Sequence, residues 1–325
     1  MSDPGSMTTP RILLCDHRGN GLGKKTAFLS ERGFELGSSA NLRQTLASLR
    51  DEPPSLIVLE TLSGSGTVEL QTIDQAREGS PPVPLLVVVP PEDGEALLRA
   101  DRSLASPLWD VVVSRASADE YQLRIDRLLA QARLQTEMGE LRHRASHDDR
   151  TDLLRPGAFQ ARLSEHFSAA QRHNLDCALV LMDLDRFGAI NKRYDHTVGD
   201  RIISQVGDVI RAALRTEDVA GRLGGDEFAV VLPYTRKYAA AQVVNRLRDE
   251  IAKLSFRPTG SDVDLHVSTS IGFETFDGKD IDSLETLRRH AEKALRAAKV
   301  QGGDRGIYYR HLSETEDAKA DDSAR

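Results

Sequence analysis

Residues Asp218–Leu232 read DVAGRLGGDEFAVVL and contain the strongest fold signal of the chain. Two apolar segments flank the pair Gly224-Gly225. Because glycine reaches positive φ without steric cost, a two-residue Gly-Gly loop predicts a tight turn between antiparallel strands. Asp226 and Glu227 follow this turn, so their carboxylates are expected at the tip of a hairpin, where they can converge on a divalent cation. An ordinary solvated acidic turn explains the same pattern equally well.

Length and composition predict a globular protein of two domains. The chain has 325 residues, of which 39% are hydrophobic and 29% charged. Its net charge of −7 argues against a general binder of nucleic acid or of anionic membranes, because such binders need clustered Lys and Arg. Cys15 and Cys177 lie in separate apolar segments, as buried thiols of a reducing compartment do. Since no signal peptide and no apolar segment of membrane-spanning length are present, we expect a cytoplasmic protein.

Residues 11–131 alternate between short apolar segments and helical patterns. Apolar segments without polar alternation predict strands that are covered on both faces, as in a parallel sheet. With helices predicted between them, for example at Asn41–Arg50 and Gly94–Ala100, this order indicates a doubly wound α/β domain. The apolar segments are Ile12–Cys15, Leu56–Leu59, Leu85–Val89 and Val111–Val113.

Ligands of doubly wound folds bind beyond the carboxyl ends of the strands, where Asp16, Glu60 and Arg115 lie here. These positions resemble the pocket of a response-regulator receiver domain, which implies a flavodoxin-like (βα)5 fold. The family's second acidic residue is His17 in this chain, its phosphorylated aspartate is Glu60, and its lysine is Arg115. Glutamate is one methylene longer than aspartate and misplaces the attacking oxygen. We therefore expect a pseudo-receiver without phosphotransfer, which acts as a dimerisation platform or as a residual signal sensor.

A polar helical pattern follows from Asp119 to about His147. Within it, Leu134, Met138, Leu141 and Ala145 have the 4-3-4 spacing of a short two-stranded coiled-coil seam. The pattern predicts a helix that extends from the first domain and sets the distance between two copies of the second. We therefore expect a homodimer that is held through the first domain and this helix.

The rest of the chain predicts a second α/β domain around the hairpin. Asp183 ends an apolar strand, Ala178–Met182, and Asp226 opens another, so the two carboxylates are expected side by side in a hard-oxygen site suited to Mg²⁺. Asp200 is well placed as the N-cap of a helix. The other predicted elements are helices at Arg201–Leu214, Tyr238–Leu254 and Ser283–Gln301, and one strand with a polar face over Val263–Ile271.

Several segments of this second half resemble the GGDEF domain of the diguanylate cyclase family, in family order. They are DLDRF at 183–187, Asn191, His196, Gly199-Asp200, RLGGDEF at 222–228 and Ser270-Ile271-Gly272. The resemblance implies a palm-like α/β domain with a βαββαβ sheet. It also implies the condensation of two GTP molecules into cyclic di-GMP, by two domains that face each other. The predicted bounds are 1–10 for a disordered N-terminus, 11–131 for the pseudo-receiver, 132–147 for a linker helix, 148–312 for the GGDEF domain and 313–325 for a disordered acidic tail.

The resemblance implies roles for individual residues. Asp183, the backbone carbonyl of Leu184 and Asp226 would hold Mg²⁺ or Mn²⁺, two ions per active site, with Glu227 joining or supporting this shell. Asp226 is the carboxylate best placed to take the proton of the attacking 3′-hydroxyl, and Glu227 would assist catalysis. The implied substrate-binding residues are Asn191, His196, Asp200, Gly224, Gly225 and Lys299. Of these, Asn191 and Asp200 correspond to guanine readers, although Asp200 also fits a simple helix cap.

Arg215 and Asp218 match the family's RxxD inhibitory site, at which the product binds and restrains the cyclase. Arginine can clamp a phosphate or a guanine edge, and aspartate can pair with guanine. Arg246, on the following helix, is predicted as a third member. A solvated salt bridge at a helix end explains the same motif.

The match fails at positions that handle phosphate. Gly188 stands where the family has lysine, and Gly303 stands where it has arginine. The family's opening Asp-x-Leu-Thr is changed to Asp148-Asp149-Arg150-Thr151, and losing cationic contacts weakens transition-state stabilisation. Arg186, Lys192 and Arg305 are the candidate substitutes. Two functions remain open: an active diguanylate cyclase with product feedback, or a degenerate one that binds cyclic di-GMP as an effector.

Overall fold

The computed structural model describes residues 9–17, 19, 21–60, 67–77, 83–91, 95–194, 196–257 and 264–312. The predicted disordered tail and all but two residues of the predicted disordered N-terminus lie outside these ranges. The chain divides into two compact units, residues 1–141 and 142–325. Among the described residues, no helix combines the length and apolar character that crossing a membrane requires.

The first unit contains a five-stranded parallel sheet with helices on both faces. Its strands are β1 Arg11–Cys15, β2 Glu35–Ser39, β3 Leu56–Glu60, β4 Leu85–Val89 and β5 Trp109–Val113, in the order β2-β1-β3-β4-β5. Its shorter helices are α1 Leu22–Lys25, α2 Phe28–Glu31, α3 Leu42–Asp51, α4 Thr67–Ala76 and α5 Ala96–Ser103. Separate apolar clusters lie on the two sheet faces, which confirms the predicted doubly wound layer.

The predicted helices of this unit are close to those observed. Asn41 caps α3, because its side chain accepts a hydrogen bond from the backbone nitrogen of Gln44 at 3.0 Å. The last strand begins at Trp109, two residues before the predicted start. The helix predicted at Gly94–Ala100 is observed as α5, which continues to Ser103, while Gly94 lies outside the described residues.

A long helix, α6, runs from Ala118 to Ser146. Its first half packs into the first unit through a buried set of side chains: Tyr121, Ile125, Leu128 and Leu129. Its second half exposes three of the predicted seam residues, Leu134 by 60%, Met138 by 49% and Leu141 by 62%. These three residues form an apolar strip along one side of the helix, and we call them the α6 strip.

The second unit contains a five-stranded mixed sheet. Its strands and helices are α7 Pro156–His173, β6 Cys177–Leu184, α8 Phe187–Tyr194, α9 His196–Ala213, β7 Val219–Gly224, β8 Glu227–Pro233, α10 Lys237–Ala252, β9 Ser255–Phe256, β10 Leu265–His266, β11 Thr269–Phe276, α11 Leu284–Val300 and β12 Arg305–Tyr308. The sheet order is β12-β11-β6-β8-β7, and only β11 and β12 run parallel. Every residue of β6 and β11 is buried, because helices cover both faces of the sheet.

The hairpin turn lies one residue later than predicted. Gly224 pairs with Glu227, so the two-residue loop is Gly225-Asp226 instead of Gly224-Gly225. Of the two glycines, only Gly225 has a positive φ, at 44°. A register shift between Arg222 and Gly224 makes Leu223 a bulge. This extra residue moves Asp226 from the start of β8 into the turn itself.

The N-cap prediction for Asp200 is wrong. The helix begins at His196, so Asp200 lies inside α9. The preceding turn can join the helix because Gly199 has no side chain: a Cβ there would lie 1.9 Å from Oδ1 of Asn191 on α8. The two helices therefore pack closely at this glycine.

The single strand predicted over Val263–Ile271 is also wrong. Leu265–His266 belongs to the separate pair β9-β10, and β11 begins only at Thr269. β11 has no solvent-exposed face because it lies inside the sheet, between β6 and β12, with helices above and below. Val263 lies outside the described residues.

The remaining helix predictions are confirmed. The helix predicted from Tyr238 is α10, and the helix predicted from Ser283 is α11, which Ser283 caps by accepting from the backbone nitrogen of Thr286 at 3.2 Å. Gly302 and Gly303 follow α11 with φ values of 108° and 79°, as expected for a helix end.

Candidate active site

The sheet brings three acidic residues to one end of β6 and β8. Asp183 pairs with Glu227 across these strands, and the backbone nitrogen of Leu184 donates to the carbonyl of Asp226 at 3.3 Å. The strand end and the turn therefore place Asp183 and Asp226 side by side. This is the juxtaposition that the sequence predicted.

The carboxylate of Asp183 is nearly buried, with 11% of its side chain exposed. Burial raises its pKa, the nearby charges of Asp226 and Glu227 raise it further, and Lys299 opposes both. The ammonium of Lys299 lies 2.5 Å from an oxygen of Asp183. A nearly buried carboxylate with two further negative charges close by favours a positive charge beside it.

A cavity of about 390 Å³ opens beside these acidic groups. Its lining is Asp183, Leu184, Asp185, Arg186, Phe187, Gly188, Asp226, Lys299, Gly302 and Gly303. Two cations, Arg186 and Lys299, thus face the same space as the carboxylates. A nucleoside triphosphate needs this combination of cations for its phosphates and hard oxygens for its metal.

Asp185 is a structural anchor of this cavity that the sequence did not single out. Its two carboxylate oxygens accept from the hydroxyls of Ser270 at 2.6 Å and Ser268 at 2.7 Å, and from the backbone nitrogen of Asp304 at 2.8 Å. A Cβ on Gly303 would lie 2.7 Å from this carboxylate. This contact and the positive φ of 79° both disfavour a side chain at Gly303, which replaces the family's arginine.

The three candidate cation substitutes lie in different places. Arg186 lines the cavity. Arg305 instead donates to the carbonyl of Gly303 at 3.0 Å and to the side chain of Gln301 at 3.1 Å, so it holds the end of α11. Lys192 is exposed on α8 and does not line the cavity.

The predicted base-reading residues lie together, away from the cavity lining. Oδ1 of Asn191 is buried against Gly199 and has no hydrogen-bond partner within the described parts of the chain. The adjacent Asp200 lies 3.1 Å from the guanidinium of Arg150. His196 is exposed at the start of α9.

The RxxD residues line a second cavity, of about 350 Å³. The carboxylate of Asp218 accepts from the backbone nitrogen of Arg215 at 3.0 Å, so it holds the turn between the two motif residues. Two arginines that the sequence analysis missed, Arg162 and Arg211, share the lining. Arg246 is not among the lining residues, and its guanidinium donates to the carbonyl of Ala213.

The residues present fit a metal that arrives with a nucleotide. No three His, Cys, Asp or Glu side chains in the described ranges form a complete metal cage. Mg²⁺ is usually held by one or two carboxylates together with substrate phosphates and water, and Asp183 and Asp226 supply that number.

Comparison with known proteins agrees with this geometry. Residues 145–305 match the family model described as "Diguanylate cyclase, GGDEF domain". Because of this match, we call this part of the chain the GGDEF domain. The chain is 35% identical over 204 residues to diguanylate cyclase TpbB of Pseudomonas aeruginosa, covering 62% of this chain and 45% of TpbB. It is 34% identical over 164 residues to diguanylate cyclase DgcP of the same species, covering 50% of this chain and 24% of DgcP.

The chain therefore spans less than half the length of either relative. Among solved structures, it is similar to the coiled coil and GGDEF domain of DgcB from Caulobacter crescentus in complex with c-di-GMP. The TM-score is 0.54 at 25% identity, and the match covers 59% of this chain and 100% of that one.

The GGDEF domain begins with a segment that is bonded to its own hairpin. Leu154 donates to the carbonyl of Ala220 and accepts from the backbone nitrogen of Arg222, so it extends the sheet beside β7. The guanidinium of Arg222 donates to both oxygens of Asp148, at 3.1 and 3.2 Å, and to the carbonyl of Gly225, at 2.7 Å. Arg222 therefore holds the turn that carries Asp226.

Replacing Asp148 with asparagine is expected to destabilise the GGDEF domain by about 1.5 kcal/mol at pH 7. Burial opposes the charge of Asp148, but hydrogen bonds from Thr151 and Arg222 outweigh it and hold its pKa below the usual value. Because the folded pKa is the lower one, this stabilisation is complete above the unfolded value and is lost as the pH falls through the folded value.

Chemical denaturation of the unchanged chain and of Asp148→Asn at several pH values measures this difference. We expect the two curves to converge as the pH falls below about 4. A constant difference from pH 7 to pH 3 would contradict the role of the carboxylate charge.

Proposed function

We propose that this chain is a diguanylate cyclase, which condenses two GTP molecules into cyclic di-GMP and releases two pyrophosphates. The observation that carries the proposal is the nearly buried Asp183 beside Asp226, in a cavity that Arg186 and Lys299 also line. The similarity of the GGDEF domain to proteins named diguanylate cyclases supports it.

The proposed roles follow from these positions. Asp183, the carbonyl of Leu184 and Asp226 would hold two divalent ions, Mg²⁺ or Mn²⁺, with Glu227 beside them. Such ions would supply positive charge that lowers the pKa of the attacking 3′-hydroxyl and offsets the charge of the triphosphate. Asp226 accepts the hydroxyl proton, while Lys299 orients the phosphates.

Substrate selection is assigned to the surface between α8 and α9. Asn191 and Asp200 read the guanine, and His196 adds a substrate contact. Gly224 and Gly225 bring the backbone of the turn close to the nucleotide. Because each domain binds one GTP, two domains must face each other for both bonds to form.

The direct test is incubation of the purified chain with GTP and Mg²⁺, followed by chromatography of the nucleotides. We expect cyclic di-GMP and pyrophosphate to accumulate and ATP to give no cyclic product. An unchanged GTP pool would contradict the enzyme and favour the second candidate function.

That second candidate is a degenerate cyclase that binds cyclic di-GMP as an effector. Gly188 and Gly303 stand in the first cavity where the family has cations, whereas the RxxD cavity keeps Arg215 and is also lined by Arg162 and Arg211. Calorimetric titration with cyclic di-GMP, in a preparation that makes no product, separates this function from catalysis.

Replacing Arg215 with alanine is expected to weaken cyclic di-GMP binding at least about tenfold, because a charge-assisted arginine contact is lost. In an active enzyme, the same change should relieve product inhibition and leave the initial rate unchanged. Initial rates at increasing product concentration measure this effect. Arg172→Ala, at an exposed position on α7, is the control, and equal inhibition of both variants would contradict the RxxD assignment.

We further propose that the first unit is a flavodoxin-like pseudo-receiver. Its strand order, β2-β1-β3-β4-β5, is the one that flavodoxin-like proteins have. Lys25 lies 2.7 Å from Glu60, whose side chain is only 7% exposed, so the residue at the phosphoacceptor position is already paired. His17 is bonded to Glu69 and to the hydroxyl of Thr45, which supports a pocket without phosphotransfer.

The α6 strip supports a homodimer through this unit and the linker helix. Glutamate at both Leu134 and Leu141 is expected to convert the dimer to a monomer, because it places charges on the apolar seam. Gln135→Glu is the control, since this residue lies about 100° around the helix from Leu134. Light scattering at micromolar concentration measures the mass, and an unchanged dimer in the double variant would contradict the assignment.

A further inference from the structure

Arg150 and Asp200 form an ion pair that the family resemblance does not imply. Arg150 stands where the family's opening motif has leucine, and its guanidinium lies 3.1 Å from the carboxylate of Asp200. Both side chains are about half exposed, at 53% and 49%. The pair is therefore weak and open to a ligand.

The proposed guanine readers bring no charged donor to the base. An ionised carboxylate only accepts hydrogen bonds, so Asp200 can serve N1–H and the exocyclic amine of guanine. Oδ1 of Asn191 is buried against Gly199, and its amide nitrogen is a neutral donor. Guanine O6, next to N1 on the ring, is itself an acceptor, and neither residue offers it a charged donor.

We propose that Arg150 supplies this donor and is a specificity-determining residue for guanine. This inference rests on the proposed function. A donor beside the carboxylate that accepts from N1–H is also beside O6, and the five N–H groups of arginine allow it to contact Asp200 and O6 together. Arginine is the side chain that proteins commonly use for guanine O6 and N7.

The same contact would work against adenine. Adenine carries an amino group in place of O6, so the guanidinium of Arg150 would face another donor, and Asp200 would face an unprotonated N1. The two residues therefore distinguish guanine from adenine by different groups of the base. Arg150 checks O6, whereas Asp200 checks N1–H and the 2-amino group.

The experiment compares the unchanged chain with Arg150→Ala. Displacement of a fluorescent GTP analogue that is blocked at its 3′ oxygen gives the affinity for three competitors in the presence of Mg²⁺. They are GTP, 6-thio-GTP, in which a poorer acceptor replaces O6, and ITP, which lacks the 2-amino group. Arg172→Ala is the matched control, and circular dichroism verifies that each variant is folded.

We expect Arg150→Ala to bind GTP about tenfold more weakly, the low end of the range for an arginine–guanine contact. The unchanged chain should prefer GTP over 6-thio-GTP, and the variant should lose this preference while still preferring GTP over ITP. If Arg150 had only a structural role, the substitution would weaken the binding of all three competitors equally.

The inference would be overturned if Arg150→Ala bound GTP as tightly as the unchanged chain or more tightly, or if it kept the preference for GTP over 6-thio-GTP. Either result would leave the cyclase assignment intact. Failure of the unchanged chain to bind GTP would instead contradict the proposed function and this inference together. The two failures are therefore distinguishable.

Discussion

We expect cyclase activity to fall at least about a hundredfold in the Asp226→Asn variant, because the cavity beside β6 is the proposed catalytic site. We also expect the variant to unfold at no lower temperature than the unchanged chain. The activity falls because the turn residue no longer offers a charged oxygen to the metal or to the 3′-hydroxyl proton. The fold survives because Gly225 and the bulge at Leu223, rather than the carboxylate of Asp226, determine the turn.

Removing this charge also relieves repulsion. The carboxylates of Asp226 and Glu227 both raise the pKa of the nearly buried Asp183, so they oppose its ionised form. Initial rates of cyclic di-GMP formation and thermal unfolding measure the two effects. Asp249→Asn, on α10, is the control. Full activity in Asp226→Asn would place the chemistry elsewhere, and a large loss of stability would contradict the charge repulsion.

The Gly272→Ala variant is expected to destabilise the GGDEF domain by about 3 kcal/mol or to prevent its folding. A Cβ on Gly272 would lie 2.0 Å from the backbone nitrogen of Leu295 and 2.4 Å from the carbonyl oxygen of Ala291, both on α11. Backbone atoms cannot rotate away, so the whole helix would have to shift from β11.

That shift would also affect the site, because Lys299 lies on the last turn of α11. Chemical denaturation gives the loss of stability, and the rate of cyclic di-GMP formation should fall with it. Gly157→Ala, at an exposed position on α7, is the control, since a Cβ there meets nothing within 4 Å. We expect that control to change stability by less than about 1 kcal/mol. Equal effects of the two substitutions would contradict the close approach of α11 to the sheet.

Much of the fold could be predicted because it depends on local sequence patterns. The apolar segments of the first unit became buried parallel strands, and Asn41 and Ser283 became the helix caps that their types favour. The predictions failed where a partner distant in sequence decided the outcome. Gly199 lies inside α9, where Asn191 packs against it, and β11 has no exposed face because both of its neighbours and two helix layers enclose it.

The candidate site shows the same division. The strand that ends in Asp183 and the hairpin with Asp226 are evident from spacing alone, since a strand end and a tight turn are local features. The anchoring role of Asp185 is not evident, because its partners Ser268, Ser270 and Asp304 are more than eighty residues away. Nothing local indicated that Gly303 must lack a side chain to accommodate that carboxylate.

By itself, the sequence determined that two α/β units follow one another, that one carries a glycine hairpin with acidic residues, and that a polar helix runs between them. Periodicity, turn residues and caps act over a few positions, so they can be recognised in the sequence without knowledge of the fold. Only the tertiary structure decided that the turn is Gly225-Asp226 and that Lys299 and Arg186 share a cavity with Asp183. It also decided that Arg150 meets Asp200. Such contacts depend on sheet register and helix packing, which result from many weak interactions across the whole domain.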